Sequence, residues 1–399
     1  MKKGWPTKTL GEVCEVFADG DWVESKDQSS EGIRLIQTGN VGEGVFKDRA
    51  EKARYISEVT FKRLRCTEIV EGDCLVSRLP DPVGRSCILP DTGERMITAV
   101  DCTILRFNPK QLLPTFFNLY SQSDDYLTTV AKECTGTTRN RISRSNLGLT
   151  PIPVPPLAEQ QRIVGLLDEA FEGLATAKAN AEKNLQNARA LFESHLQSVF
   201  TQRGSGWEEK KVSEIAKHSL GKMLDKAKNK GEQQPYLRNI NVRWFTFDLT
   251  DLLEMPFLPT ESEKYTAIKG DVLICEGGYP GRAAIWNEDY PIYCQKGLHR
   301  VRFHEPELNK WFVYYLSVQD SSGQLKQHFS GTGIQHFTGE VLARFPIPVP
   351  PLPELRRAVA KFDALSEETQ RLARLYERKL AALEALKKSL LHQAFTGEL

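Results

Sequence analysis

The chain has 399 residues, with 53 basic against 52 acidic side chains, 40% apolar residues and eight cysteines. That length allows two or three domains, each with its own core, and the ordinary composition excludes collagen-like, disulfide-framework and disordered classes. No stretch has the length and apolarity of a membrane span, the N-terminal MKKGWPTKTLGEV lacks a signal-peptide core, and no C-x-x-C pair occurs, so a cytoplasmic protein with no membrane association is expected.

Residues 1–150 alternate short apolar runs with Gly, Pro, Asp and Asn. IRLIQTGNVGEG (33–44), GDCLVSRLPDPVGRSCILP (72–90) and MITAVDCTILRF (96–107) read as strands and turns. PTFFNLYSQSDDYLTTVAKEC (114–134) reads as one amphipathic helix. PIPVPP at 151–156 then reads as an extended strap, because proline donates no backbone hydrogen bond and pushes the preceding residue out of the helical region. From 157 to 200 the apolar spacing is helical. Ile163, Leu167, Ala170, Leu174, Ala177, Ala181, Ala188 and Leu191 fall on one seam, which Leu185, Phe192 and Val199 widen.

The chain then says the same thing again. PIPVPPLPELRR (346–357) repeats PIPVPPLAEQQR (151–162) at an offset of 195, and Phe200-Thr201 returns as Phe395-Thr396 at the same offset. GDCLVSR (72–78) returns as GDVLICE (270–276), and GTTRNRIS (136–143) faces GTGIQHFT (331–338). The second helical run, 352–395, carries Val359, Phe362, Leu365, Leu372, Leu375, Leu383, Leu386 and Leu390 on its seam. A repeat of this length is a duplicated half-molecule, too long for a solenoid unit.

The expected class is α+β, twice: domains at 1–150 and 204–345, with straps and spacer helices at 151–203 and 346–399. Helices this long need a partner along their length, so the two are expected to form an antiparallel coiled coil. That would turn the direct repeat into an approximate two-fold, the symmetry of proteins that read two half-sites on duplex DNA at a fixed separation.

Charge sets a limit on that reading. Residues 1–150 carry 21 basic and 21 acidic side chains, and 204–345 carry 18 of each. DNA would have to be held by local patches or with a partner's help. Catalytic signatures are missing. No N-P-P-[FYW] or D-P-P-Y adenine-methylation motif occurs, no G-x-x-x-x-G-K-[ST] loop, and His299 and His304 form no H-E-x-x-H helix.

The order domain, PIPVPPL-x-E helix, domain, PIPVPPL-x-E helix resembles the specificity subunit of type I restriction–modification systems. DGDWVESKD, GIRLIQTGNVG and GDCLVSRLPDPVGR in the first half, and QPYLRNINVRWF, GDVLICEGGYPGRAAIW and YCQKGLHRVRF in the second, look like two target-recognition domains of that family. The resemblance implies that each domain reads one half of a bipartite target on double-stranded DNA. It implies that the helices set the unread gap and dock two adenine-N6 methyltransferase subunits, with two ATP-driven translocase–nuclease subunits completing the enzyme. The chain itself would be non-catalytic. It would hold no cofactor, S-adenosylmethionine, ATP and Mg belonging to the partner subunits. A stand-alone regulator of a bipartite operator is the alternative, and salt-dependent binding by the chain alone would distinguish it.

Candidate DNA-contacting residues follow from side-chain chemistry. Arg and Asn make bidentate contacts to guanine and adenine edges, and Thr and Ser suit phosphates. In the first domain these are Thr138, Arg139, Asn140, Arg141 and Arg144, within a stretch free of acidic residues from 134 to 158. Arg78 and Arg85, flanking a rigid turn able to present them, join the set, as do Gln37, Thr38 and Asn40. In the second domain they are Arg238, Asn239, Asn241 and Arg243, then Glu276, Tyr279 and Arg282, then Gln295, Lys296, Gln335 and His336. Lys222, Lys226, Lys228 and Lys230 read as solvated or phosphate-facing lysines.

Overall fold

The computed structural model describes residues 4–136, 140–225 and 227–399. Two compact units divide the chain: Met1–Glu182 with Glu377–Leu399, and Lys183–Tyr376. Each takes part of both long helices, α1 (Leu157–Thr201) and α2 (Leu352–Thr396), which are 45 residues each and begin and end at the same 195 offset. Among the described residues no helix is long and apolar enough to cross a membrane.

In the first unit a four-stranded antiparallel sheet runs in the order Cys14–Asp19, Cys102–Phe107, Cys74–Ser77, Ser86–Ile88. Beside it a five-stranded sheet pairs Ile33–Ile36 in parallel with Met96–Thr98. The second unit repeats the plan with Ala216–Leu220, Leu298–Phe303, Val272–Cys275 and Ala283–Ile285, and with Glu232–Leu237 parallel to Ile292–Cys294. A buried carboxylate braces each frame: Asp73 takes a two-pronged bond from Arg106, and Asp271 takes one from Arg302, all within 2.6–2.7 Å. Close approach is built in as well. A methyl on Gly20 would lie 2.3 Å from the Ala99 carbonyl oxygen, and one on Gly221 would lie 2.3 Å from that of Cys294.

The straps are edge strands. Pro151–Pro153 pairs antiparallel with Thr7–Thr9, and Pro346–Val349 with Glu208–Lys211, where prolines on an edge cost no ladder bond. The 114–134 segment departs from expectation. It forms two helices, Pro114–Tyr120 and Asp124–Lys132, because the Ser123 hydroxyl caps the second by accepting from the Tyr126 amide. Its counterpart, Leu308–Ser321, is continuous.

The long helices pair antiparallel in each unit. In the first, Ile163 and Leu167 share a core with Leu391, Ala394 and Phe395, and Lys178 bridges to Glu384 at 2.6 Å. In the second, Leu196 and Phe200 share a core with Leu355 and Phe362, around Trp311. They also pack on their own domains: Phe395 meets Phe116 and Tyr120 edge to face. Three expected seam residues, Leu191, Leu375 and Leu386, are exposed. Beyond Ala181 the seam of α1 advances four residues to Leu185, and Phe192 replaces Leu191 on it, since a straight helix drifts against a strict seven-residue repeat.

Candidate nucleic-acid interface

In the first unit, strands Cys14–Asp19, Ile33–Ile36, Cys74–Ser77 and Met96–Thr98 all end at one edge, and Ser86–Ile88 and Cys102–Phe107 begin there. The turns between them are laced by two arginines. Arg85 donates Nε to Val41 O (2.7 Å), Nη1 to Leu79 O (2.7 Å) and Pro82 O (3.0 Å), and Nη2 to Thr38 O (2.9 Å). Arg78 donates to Val100 O (2.6 Å) and Ile142 O (3.3 Å) and lies 3.2 Å from the Asp19 carboxylate. Burial pushes both guanidinium pKa values down, the opposing pull on Arg78 coming first from Asp19. These two residues do not present themselves on the turn as expected. They face inward, because the carbonyls of converging turns offer a ready-made acceptor cage.

A third turn joins them. Thr135 and Arg141 exchange backbone bonds at 2.9 and 3.0 Å, closing a hairpin, and the Ile142 amide donates to Arg78 O. Asn140, Arg141 and Arg144 are exposed, Arg141 bridging to Asp101 at 2.7 Å. Thr138 and Arg139 lie outside the described residues.

The 37–40 turn is held by Asn40. Its Oδ1 accepts from the Gln37 amide (3.0 Å), and its Nδ2 donates to Lys47 O and Asp48 O (2.8 and 2.9 Å). Gln37 and Thr38 are half-buried and line a groove of about 580 Å³ that Arg49, Lys52 and Arg54 make basic. The Arg49 guanidinium lies over Gly39, where an added methyl would meet its Nη1 at 2.0 Å.

The second unit builds the same edge with different side chains. Asn241 holds its turn as Asn40 does, accepting from the Arg238 amide (2.9 Å) and donating to Asp248 O and Asp251 O. Ser330 and His336 close the matching hairpin at 2.9 Å each way, and the Phe337 amide donates to Glu276 O (2.7 Å). Asn239 Nδ2 donates to Gly277 O (3.0 Å), while Arg282 reaches Asn239 O (3.1 Å) and lies over the Tyr279 ring at 4.2 Å. Arg238 bridges to Asp251 at 2.8 Å, and Arg243 stands 3.5 Å from Asp248. Lys296 and Gln335 are exposed, Gln295, His336 and Glu276 half-buried. Lys228 and Lys230 are exposed as expected and Lys226 lies outside the described residues, but Lys222 is buried. It bridges to Glu261 at 2.6 Å and donates to Pro256 O, so it is a structural cation.

Sequence reasoning overlooked Arg49, Lys52 and Arg54, as well as exposed apolar residues at the same edges, among them Trp22, Met223, Ile240 and Ile334. The groove arginines carried one legible signal, the basic run KDRAEKAR (47–54) two residues past a Gly-rich turn. Among the described residues no cluster of His, Cys, Asp or Glu could hold a metal.

The family model described as the type I restriction modification DNA specificity domain matches residues 2–185 and, a second time, 204–379. The chain belongs to this family. A Methanocaldococcus jannaschii protein assigned as the type I restriction enzyme MjaX specificity subunit is 22% identical over the whole of this chain and 94% of its own length. The Escherichia coli type I restriction enzyme EcoKI specificity subunit is 22% identical over 75% of this chain and 68% of its own. Among solved structures, a chain from work on complex assembly and conformational transition of the type I R-M system matches with a TM-score of 0.81 at 21% identity, covering 100% of this chain and 99% of that one. The HsdS subunit from Thermoanaerobacter tengcongensis matches at 0.62 and 21% identity, covering 100% and 98%. These likenesses show a shared fold. The duplicated specificity family and the duplicated turn edge therefore coincide.

Proposed function

We propose that this chain is the sequence-specific DNA-recognition subunit of a type I restriction–modification enzyme. Each domain reads one half of a bipartite target through its turn edge. The paired helices set the gap between the halves and dock methyltransferase subunits, and translocase–nuclease subunits complete the assembly. The chain supplies recognition and leaves catalysis to its partners, where S-adenosylmethionine, ATP and Mg would be held.

One observation carries this reading. The two edges share their bracing, Asn40 with Asn241 and the 135–141 hairpin with the 330–336 hairpin, yet differ at the exposed positions between. A constant frame with variable tips is what two readers of different sequences require. The near-equal charge of each domain explains reliance on partners, since neutral domains gain little from counterion release.

The test is reconstitution. The purified chain alone should transfer no methyl group and bind duplex DNA weakly, with binding that fades as salt rises. With methyltransferase subunits added, adenine methylation should appear at a two-part motif. Methyl transfer by the chain alone, or methylation without a two-part motif, would refute the reading.

A further inference from the structure

The two turn edges differ in chemical character. In the second unit, Met223 (62% exposed), Ile240 (52%), Tyr279 (67%) and Ile334 (75%) project from four separate turns. Those turns are neighbours. Lys222 exchanges backbone bonds with Cys294 and Lys296 beside Met223, and the Gln295 amide reaches Leu237 O next to the 239–241 turn. Asn239 ties that turn to Gly277, and the Phe337 amide ties the 330–336 hairpin to Glu276. Isolated exposed apolar residues need no explanation, but four on mutually bonded turns at one edge do.

The shared frame gives the first unit's counterparts. Ile240 corresponds to Gly39, since each precedes the bracing asparagine. Tyr279 corresponds to the 79–83 turn, where Asp81 is exposed. Ile334 matches Arg139 at the 195 offset, outside the described residues, and Met223 matches Trp22. Three of four apolar tips in the second unit are therefore glycine or charged in the first.

The occupant follows from the surroundings. No acidic residue occurs from 321 to 339, Lys296 is exposed nearby, and Arg243 and Glu276 are half-buried, Arg243 facing Asp248, so the hairpin side of the edge is apolar with Lys296 as its exposed cation. Among DNA base pairs, the apolar feature presented in the major groove is the thymine C5-methyl group. Resting on the reading of this chain as a DNA-recognition subunit, we infer that the second domain selects its half-site through thymine methyl groups packed against Ile240, Tyr279 and Ile334. The first domain, with glycine or a charged residue at those three positions, has no such apolar set to offer.

The test uses the reconstituted methyltransferase complex and the motif it methylates. Thymines other than the one opposite each target adenine are replaced by deoxyuridine, which lacks only the methyl group, in one half-site at a time. Binding should weaken about fourfold per contacted methyl in the second half-site, from the usual worth of a buried carbon, and by less than about twofold in the first. Ile334→Ser, at an exposed hairpin tip, should reduce the difference between thymine and uracil. Tolerance of uracil in the second half-site, equal loss in both, or a second half-site without such thymines would overturn the inference while leaving DNA recognition intact. Failure to prefer the unmodified motif over a scrambled duplex would instead remove the reading on which it rests.

Discussion

Arg85 Nε donates to the carbonyl oxygen of Val41 at 2.7 Å, across 44 residues of chain, and three further bonds from the same guanidinium fix the 38–41 and 79–82 turns against each other. Arg85→Lys keeps the charge but loses the planar fork and leaves carbonyls unpaired. The first domain should lose about 3 kcal/mol, and amides of both turns should exchange faster with solvent. The second half-site should be read unchanged. Hydrogen exchange together with a methylation map checks both.

Asn40 and Asn241 brace equivalent turns by the same three bonds. Asn40→Ala should impair recognition of the first half-site only, and Asn241→Ala the second only. Each should cost on the order of 2 kcal/mol, because the abandoned backbone groups are partly buried. Competition binding with duplexes scrambled in one half at a time measures this. A loss of both half-sites from either change would contradict it.

These residues mark where the sequence was legible. The repeat, the straps and the two equal helices could be read because proline chemistry and apolar period act locally. The roles of Arg78, Arg85 and Asn40 could not, since an inward-facing guanidinium depends on carbonyls brought together from distant turns. The break at Ser123 was readable in principle from Ser-Asp-Asp before an apolar run. The exposed tips Met223, Ile240 and Ile334 escaped notice because periodicity assigns apolar residues to the core, whereas Tyr279 was legible from its place in the GGYPGR turn.

His299 is buried, and its Nε2 donates to Phe337 O at 2.7 Å, beside the 330–336 hairpin. Burial pushes its pKa from 6.5 to about 4, against the raising effect of that bond, with His218 nearby adding to the fall. The ring thus stays neutral in the fold while the unfolded chain takes up a proton below about pH 6.5. Its contribution is fully present above that pH and is lost as pH falls toward 4. The second domain should lose on the order of 2 kcal/mol between pH 7 and pH 5. Thermal unfolding of wild type against His299→Gln checks it: the variant should lack this part of the pH dependence.

Lengthening α1 tests the proposed spacer. Four residues inserted within 175–181 add ~6 Å of helix, or one to two base pairs of DNA. The gap between methylated half-sites should grow by that amount with both half-site sequences preserved. An unchanged gap in an active complex would show that the helices do not set the spacing.

The central claim is that two independent readers share one chain, and a domain exchange tests it most directly. Residues 1–150 are replaced by the matching domain of another family member, the complex is reconstituted with methyltransferase subunits, and methylated adenines are mapped by sequencing. The account predicts a new first half-site beside an unaltered second half-site. A motif changed in both halves, or in neither, would contradict it.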